Sequence, residues 1–449
     1  MRQAQRVLST YAVDLFGICS ALYELGGLVV MHDASGCNST YTTHDEPRWY
    51  DVPAMIYLSG LREVDTIYGN DRRLIEDVAE VAGETHPRFI AVGGSPLPNA
   101  IGTDFRAVAK LIEERTGIPT LGFRTDGIHT YIKGAGDAFL DFGRRFLRSQ
   151  EESSEYWKRN RGRNGPGNRC RISEETVRVN LLGATPLDFS VTGTVSELKR
   201  LIRESGMEVL SSWAMGDSFD TLANSSCADV NLVISSTGFP LARWMQTRFG
   251  IPYVIGFPVG EEASDRWIGR IRSAAGKSGN RSFPDTGSGA DTGREDGKAH
   301  LAGPDQKVLI IGEPVQALSL REAISSEGDD GRVRILCPMR DAPKDLIPDV
   351  LVTEDESEIR ESCRKADRIL CDPIYGRLLP GEREKFIFLP QDAYSGRYYR
   401  EQLPVFAGPD AVRNILDSQR FYESDPRENK IVVRSDANHG LDGKKRDGA

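Results

Sequence analysis

A cysteine beside glycine in a polar turn is chemically unlike a cysteine in a core. In "HDASGCNSTYTTHDEPRW" (32–49), Cys37 stands between Gly36 and Asn38, just past an apolar run and between His32 and His44. Gly36 lets the backbone approach another group closely. A thiolate in such a turn suits either a ligand to iron or an activated nucleophile. By spacing, His32 and His44 are the imidazoles that could join a metal at Cys37. The plainer expectation for "HDEPRW" (44–49) is a loop tied down by Arg–carboxylate pairs, with Trp49 packed.

The other cysteines read differently. Cys19 falls on an apolar helix, Cys227 before a buried strand, Cys363 in a helix and Cys371 in a strand, all places for core thiols. Seven dispersed cysteines without C-x-x-C predict free thiols or metal ligands in a reducing compartment, not a disulfide framework. His86 precedes a strand, and His300 and His439 lie in polar, apolar-poor stretches, so no role is read for them. The chain has no G-x-x-x-x-G-K-[ST] phosphate loop, no G-x-G-x-x-G after the first strand of any unit, no G-x-S-x-G and no H-E-x-x-H. Nucleotide hydrolysis, nucleophile-elbow hydrolysis and zincin chemistry therefore find no local support.

The elements that would position Cys37 repeat one phrase: apolar strand, glycine turn, amphipathic helix. "PRFIAVGGSP" (87–96) is a strand entering a turn; "DFRAVAKLIEERTG" (104–117) places Phe105, Val108, Leu111 and Ile112 on one helical face and stops at Gly117. "ERTGIPTLGF" and "QTRFGIPYVIGF" use the same helix–Gly–Ile–Pro–strand device twice. Between them, "RVNLLGATP" (178–186) and "TVSELKRLIRESGMEVL" (194–210) add another strand and helix, and Thr194 and Glu197 have capping-box spacing. A third pass runs through "KVLIIGEPVQALSLREAI" (307–324), "RVRIL", "DRILCD" and "KFIFLP".

Strands alternating with helices predict an α/β fold of three Rossmann-like domains, each a parallel sheet flanked by helices. The expected divisions are an N-terminal domain over 1–155 carrying the Cys37 loop, a second over 172–272, a flexible linker or insertion at 273–306, a third over 307–434 and a disordered tail at 435–449. Gly93–Gly94, Gly183 and Gly312 each end a strand. They are either plain βα turns or turns that jointly line a cleft at the carboxyl ends of the strands, where open α/β sheets take ligands.

With 449 residues, the chain is long enough for two to four compact units. A net charge of −9 argues against a dedicated nucleic-acid or anionic-membrane binder. The longest apolar runs, such as "LGGLVVM" (25–31), fall far short of the roughly 20 residues of a spanning helix. No secretory signal is apparent, so a cytoplasmic location is expected.

In order, these pieces resemble the nitrogenase component 1 family. "HDASGC" (32–37) is similar to its H-G-x-x-G-C segment, "REVDTIYGNDRRLIEDV" (62–78) to its acidic–apolar–Gly–Leu segment, and "PRFIAVGGSPLPNAIGTD" (87–104) to its strand, cluster loop and helix start. "VNLLG" (179–183), "NLV" (231–233) and "FGIP" (249–252) fall where its second domain has similar phrases. The resemblance implies a component 1-like subunit of a nitrogenase-like two-component oxidoreductase, fed low-potential electrons by an ATP-dependent iron protein. It also implies an iron–sulfur cluster, expected as 4Fe-4S, shared across an interface with a paralogous subunit or a second copy, as in a heterotetramer.

Cys37 matches the central cluster ligand; the third falls at Pro96 and the first near Ala12, with Cys19 a replacement only if its helix were shifted. The cysteine that would hold the nitrogenase active-site cofactor aligns with Ser235, so a dinitrogen-reducing subunit is not expected. In the substrate cleft the resemblance implies, Gly36, Ser95, Asn99, Ser235 and Ser236 would line the walls, Arg48 would pair with a substrate carboxylate and His44 would donate a proton. The alternative is a non-catalytic scaffold or carrier holding a metallocofactor or tetrapyrrole in that cleft.

Overall fold

The computed structural model describes residues 6–8, 11–34, 36, 45–159, 176–276, 301–303, 305–325, 331–346 and 349–423. Cys37, His44, Cys170, His300, His439, the expected tail at 435–449 and most of the expected linker lie outside them. Leu301, placed by sequence in that linker, is buried in the core.

The first unit contains α1 (Asp14–Leu22), β1 (Leu28–His32), β2 (Met55–Leu58), α2 (Glu63–Tyr68), α3 (Asp71–Thr85), β3 (Ile90–Gly94), α4 (Pro96–Ala100), α5 (Phe105–Thr116), β4 (Thr120–Gly122), α6 (Tyr131–Phe146) and α7 (Gln150–Arg159). The second contains β5 (Arg178–Leu182), α8 (Pro186–Phe189), α9 (Thr194–Glu204), β6 (Glu208–Ser212), α10 (Phe219–Ala223), β7 (Val230–Val233), α11 (Phe239–Phe249), β8 (Tyr253–Ile255) and α12 (Glu261–Ala274). The third has β9 (Val308–Ile311), α13 (Pro314–Ile324), β10 (Val333–Cys337), β11 (Val350–Val352), α14 (Glu356–Arg364), β12 (Arg368–Cys371), β13 (Phe386–Phe388), α15 (Asp392–Ser395) and α16 (Ala411–Glu423).

All the strand pairings are parallel, in the orders β2-β1-β3-β4, β6-β5-β7-β8 and β11-β10-β9-β12-β13. Parallel neighbours need crossover connections, which is why a helix follows most strands. Central strands such as Leu28–His32 and Val308–Ile311 are buried throughout, as a sheet covered on both faces requires. The repeated Gly-Ile-Pro device ends both helices the same way. Gly117 and Gly250 take left-handed φ of 69° and 72°, their N–H groups closing on Glu113 O and Gln246 O.

Three local expectations are corrected. Leu111 is exposed, leaving Phe105, Val108 and Ile112 as the inward stripe of α5. Gly193, at φ 111°, is the N-cap of α9, and no capping box forms; the Thr194 hydroxyl accepts from Phe406 N–H at 3.3 Å instead. Cys227 is disulfide-bonded, not a free core thiol, and its partner lies outside the described residues.

The units share cores. Phe89 and Phe142 of the first unit pack with Trp213 and Phe219 of the second; Phe142 meets them at 5.8 and 5.1 Å between ring centres. Helices α1 and α6 cross on glycine: a Cβ at Gly134 would stand 1.8 Å from Asp14 O, and one at Gly17 would stand 2.3 Å from Tyr131 O. The opening segment is held by the third unit, where the Glu356 carboxylate accepts the N–H groups of Arg6, Val7 and Leu8 at 2.9, 2.9 and 3.2 Å. Among the described residues no helix is long and apolar enough to cross a membrane.

Candidate functional site

In each sheet the strand order reverses beside the first strand of the unit, and the turns leaving that point carry the candidate residues. Open α/β sheets bind ligands at such switch points because adjacent loops there run to opposite faces. The first is formed by the ends of β1 and β3. From β1 come His32, Asp33 and the turn through Gly36 toward Cys37; from β3 come Ser95 and α4. His32 is buried, and its Nδ1 lies 2.7 Å from Ser59 Oγ. Burial pushes the imidazole's pKa below its usual value, which suits a neutral structural ring.

Gly36 is exposed, Ser95 is buried with its N–H 3.4 Å from His32 O, and Asn99 is exposed on α4. Pro96 occupies the first turn of α4, where its missing N–H costs nothing. Its ring packs on Gly127, where an added Cβ would lie 2.5 Å from the ring carbon.

The loop beside Pro96 was not singled out by sequence. The Asp14 carboxylate accepts the N–H groups of Leu15, Asp126 and Gly127 at 2.8, 2.9 and 3.1 Å, and burial raises its pKa to about 6 despite those bonds. His129 Nδ1 lies 2.7 Å from Asp341 Oδ1, and Asp341 Oδ2 accepts Thr130 N–H at 2.6 Å, which ties the loop to the third unit.

The far end of the Cys37 loop is clamped to all three units. Every donor of Arg48 is engaged within the chain. Nε and Nη2 reach Glu46 at 2.7 and 3.2 Å, Nη1 reaches Glu24 at 3.0 Å and Ala214 O at 2.8 Å, and Nη2 also reaches Ser20 O at 2.8 Å. The guanidinium lies 4.6 Å from the Tyr23 ring centre. Asp45 O accepts from Arg400 at 2.7 Å, and the Asp45 carboxylate lies 3.3 Å from Arg397. The expected Arg–carboxylate pairs are therefore present, with Trp49 half-buried beside them. Arg48 is a buried clamp; no donor is left for a substrate carboxylate, and that expectation is withdrawn.

The second and third switch points meet α6 in one buried network. Asp188 accepts Tyr131 Oη–H at 2.6 Å, Gln391 Nε2–H at 3.2 Å, and the hydroxyls of Thr185 and Ser235 at 2.7 Å each. Glu313, after β9, accepts Ser236 N–H and Gln316 N–H at 2.8 Å each and is in contact with Ser236 Oγ. Gln316 Nε2 donates to Asp188 O at 2.9 Å. Burial raises both carboxyls; for Glu313 the neighbouring Asp188 charge adds to it, and the value reaches about 7. Ser235 and Ser236 are thus brought together with three groups that sequence reading missed: Asp188, Glu313 and Gln391. For Glu313 the available signal was a carboxylate one glycine past a buried strand, in "LIIGEP".

With this geometry in place, comparison with known proteins identifies the ancestry. The profile of the family described as nitrogenase component 1 type oxidoreductase matches residues 24–330. The chain belongs to this family.

Three component 1 relatives illustrate the range. A nitrogenase iron-molybdenum cofactor biosynthesis protein, NifE, of Clostridium pasteurianum is 26% identical over 44% of the chain and 38% of its own length. One of the subunits of light-independent protochlorophyllide reductase from Rubrivivax gelatinosus is 30% identical over 40% and 34%. The nitrogenase molybdenum-iron protein alpha chain of Clostridium pasteurianum is 22% identical over 44% and 33%. The match thus spans well under half the length of these relatives. A solved structure of nitrogenase Cp1 superposes with a TM-score of 0.64 at 15% identity, covering 97% of this chain and 98% of that one, and establishes the shared component 1 fold.

The family's metal groups can be tested against these residues. At Ser235 the donors are carboxylate, hydroxyl and amide oxygens already bonded to one another, with neither thiolate nor imidazole among them, so a metal–sulfur cofactor does not fit there. At the first switch point Pro96 offers no donor. Cys19 is wholly buried, with its thiol pKa driven far up by burial, and cannot replace a ligand at Ala12. Among the described residues no three His, Cys, Asp or Glu side chains are placed to hold a metal. The cluster ligand expected from sequence at this switch point, Cys37, lies outside the described residues.

Proposed function

We propose that the chain is the component 1-like subunit of a nitrogenase-like two-component oxidoreductase, paired with a paralogous subunit and served by an ATP-dependent iron protein. The supporting observation is an asymmetry between switch points. The segment leading to Cys37 leaves the first one, whereas the second is sealed by an oxygen network. A cluster completed by Cys37 would supply low-potential, one-electron storage at the subunit interface. In this reading the chain supplies the Cys37 thiolate next to Gly36, and Arg48 and Asp45 anchor the far end of that segment. Ser95 and Asn99 flank the same edge as candidate lining residues, and His44 is the candidate proton donor. Partner, electron donor and substrate are inferred from family membership.

The test is iron and acid-labile sulfide per chain, on protein purified without oxygen together with its native partner, beside Cys37→Ala. About four of each per pair of chains, lost in the variant, is the expected result. A native pair free of both would overturn the reading. A second reading, a carrier of a metallocofactor or tetrapyrrole, draws support from the similarity to cofactor biosynthesis proteins. Cargo that co-purifies unchanged with Cys37→Ala would favour it.

A further inference from the structure

Among the described residues, the network at the three-unit junction contains two carboxylates and no neutralising base. Asp188 and Glu313 are 1% and 0% exposed, and among the described residues neither accepts a hydrogen bond or ion pair from Lys, Arg or His. The ionisable groups around them are acids too: Tyr131 on α6, Cys337 at the end of β10, and Asp372 and Asp392 flanking Gln391. Arg400, beside Asp392, is bonded to it at 2.9 Å.

Two carboxylates in a dry interior without a base cannot both ionise cheaply, and the lower-energy state keeps a proton on one of them. Four donors converge on Asp188, which suits it to carry the charge. Glu313 receives three and faces that charge, so it is the one to hold the proton. Ser236 Oγ, in contact with Glu313 Oε1, can rotate its hydroxyl to accept the resulting bond.

We propose that the Asp188–Glu313 pair is a proton-binding joint: with one proton bound the three units close around it, and loss of that proton loosens their seam. Each unit contributes, through Tyr131 from the first, Asp188, Ser235 and Ser236 from the second, and Glu313 and Gln391 from the third. The joint depends on neither Cys37 nor a partner chain.

An acid whose pKa is raised on folding stabilises the fold below its unfolded value and loses that contribution as pH rises to the folded value. For Glu313 the window runs from roughly 4.3 to about 7. Asp14, Asp372 and Asp392, each raised to about 6, titrate in its lower part, so pH 6 to 7 reports chiefly on the joint.

The experiment measures unfolding equilibria of the full chain from pH 5.5 to 8.5, with hydrogen exchange at 185–190, 234–238, 313–317 and 389–393 corrected for intrinsic pH dependence. The folded-to-unfolded ratio should fall up to tenfold per pH unit per linked proton until about pH 7 and then level. Exchange in those segments should rise with the titration. Glu313→Gln should flatten the fall between pH 6 and 7 and remove the rise in exchange. Should that variant fail to fold, Ser236→Ala takes away the hydroxyl that contacts Glu313 and should shift the pH of the loosening. An unchanged slope in Glu313→Gln, or an unchanged loosening pH in Ser236→Ala, overturns the joint.

Discussion

Replacing Arg48 by methionine keeps most of the stem and removes every donor the clamp uses. The loss can be estimated from what is left behind. Glu46, whose side chain has no exposure, would lose the guanidinium beside it, and breaking a buried pair costs about 3–5 kcal/mol. A loss of about 4 kcal/mol is therefore expected. The carbonyls of Ser20 and Ala214 would lose bonds besides, and Ala214 sits at φ 103°, a conformation alanine keeps only when held.

The assay is urea unfolding at pH 7 with the midpoint and slope followed together. Arg48→Met should lower the midpoint at constant slope. Glu46→Leu on the same background should recover a large part of the loss, since two apolar side chains can replace a buried pair. An Arg48→Met chain within about 1 kcal/mol of the parent would refute the clamp and make Arg48 a candidate substrate contact again.

Other outcomes are fixed by the same geometry. Gly134→Ala must push α6 off α1 and should destabilise by about 3 kcal/mol, whereas Gly83→Ala, on an exposed face of α3 with nothing within 4 Å, should stabilise by about 0.5–1 kcal/mol; chemical denaturation separates the two signs. Asp14 is raised to about 6 by burial, so its contribution is present below its unfolded pKa near 3.9 and lost as pH rises through 6. Asp14→Asn should therefore show a shallower fall in melting temperature between pH 4.5 and 6.5 than the parent. Pro96→Cys offers a second thiol at the first switch point; if that edge faces a cluster, iron retained per chain after anaerobic dilution should rise, and equal retention would count against the placement.

Much of the fold was readable because its signals are local. A buried strand, a glycine stop and an Ile-Pro restart fit within a dozen residues, and Gly117 and Gly250 adopt the left-handed geometry that pattern demands. The edge strands β2 and β11 escaped notice because four and three residues carry too little pattern. The site was less legible for a physical reason. Asp188, Glu313 and Gln391 are far apart in sequence, and in isolation each resembles an ordinary polar turn residue. Only the packing of three sheets decides that these turns face one another and that their carboxylates end up dry. The capping box at Thr194 failed similarly: Gly193 took the cap position, and a distant backbone N–H, that of Phe406, claimed the hydroxyl.

The grip of Glu356 on residues 6–8 has a consequence for the order of assembly. The bonded residues are 348 to 350 positions apart. At about 5–20 residues per second, a ribosome needs roughly 20–70 s to bridge such an interval. For that time residues 6–8 lack this anchor, though the α1–α6 crossing can already form. A sheet made later secures residues made well before it, so a nascent chain paused before α14 should leave the segment around residues 6–8 open to protease.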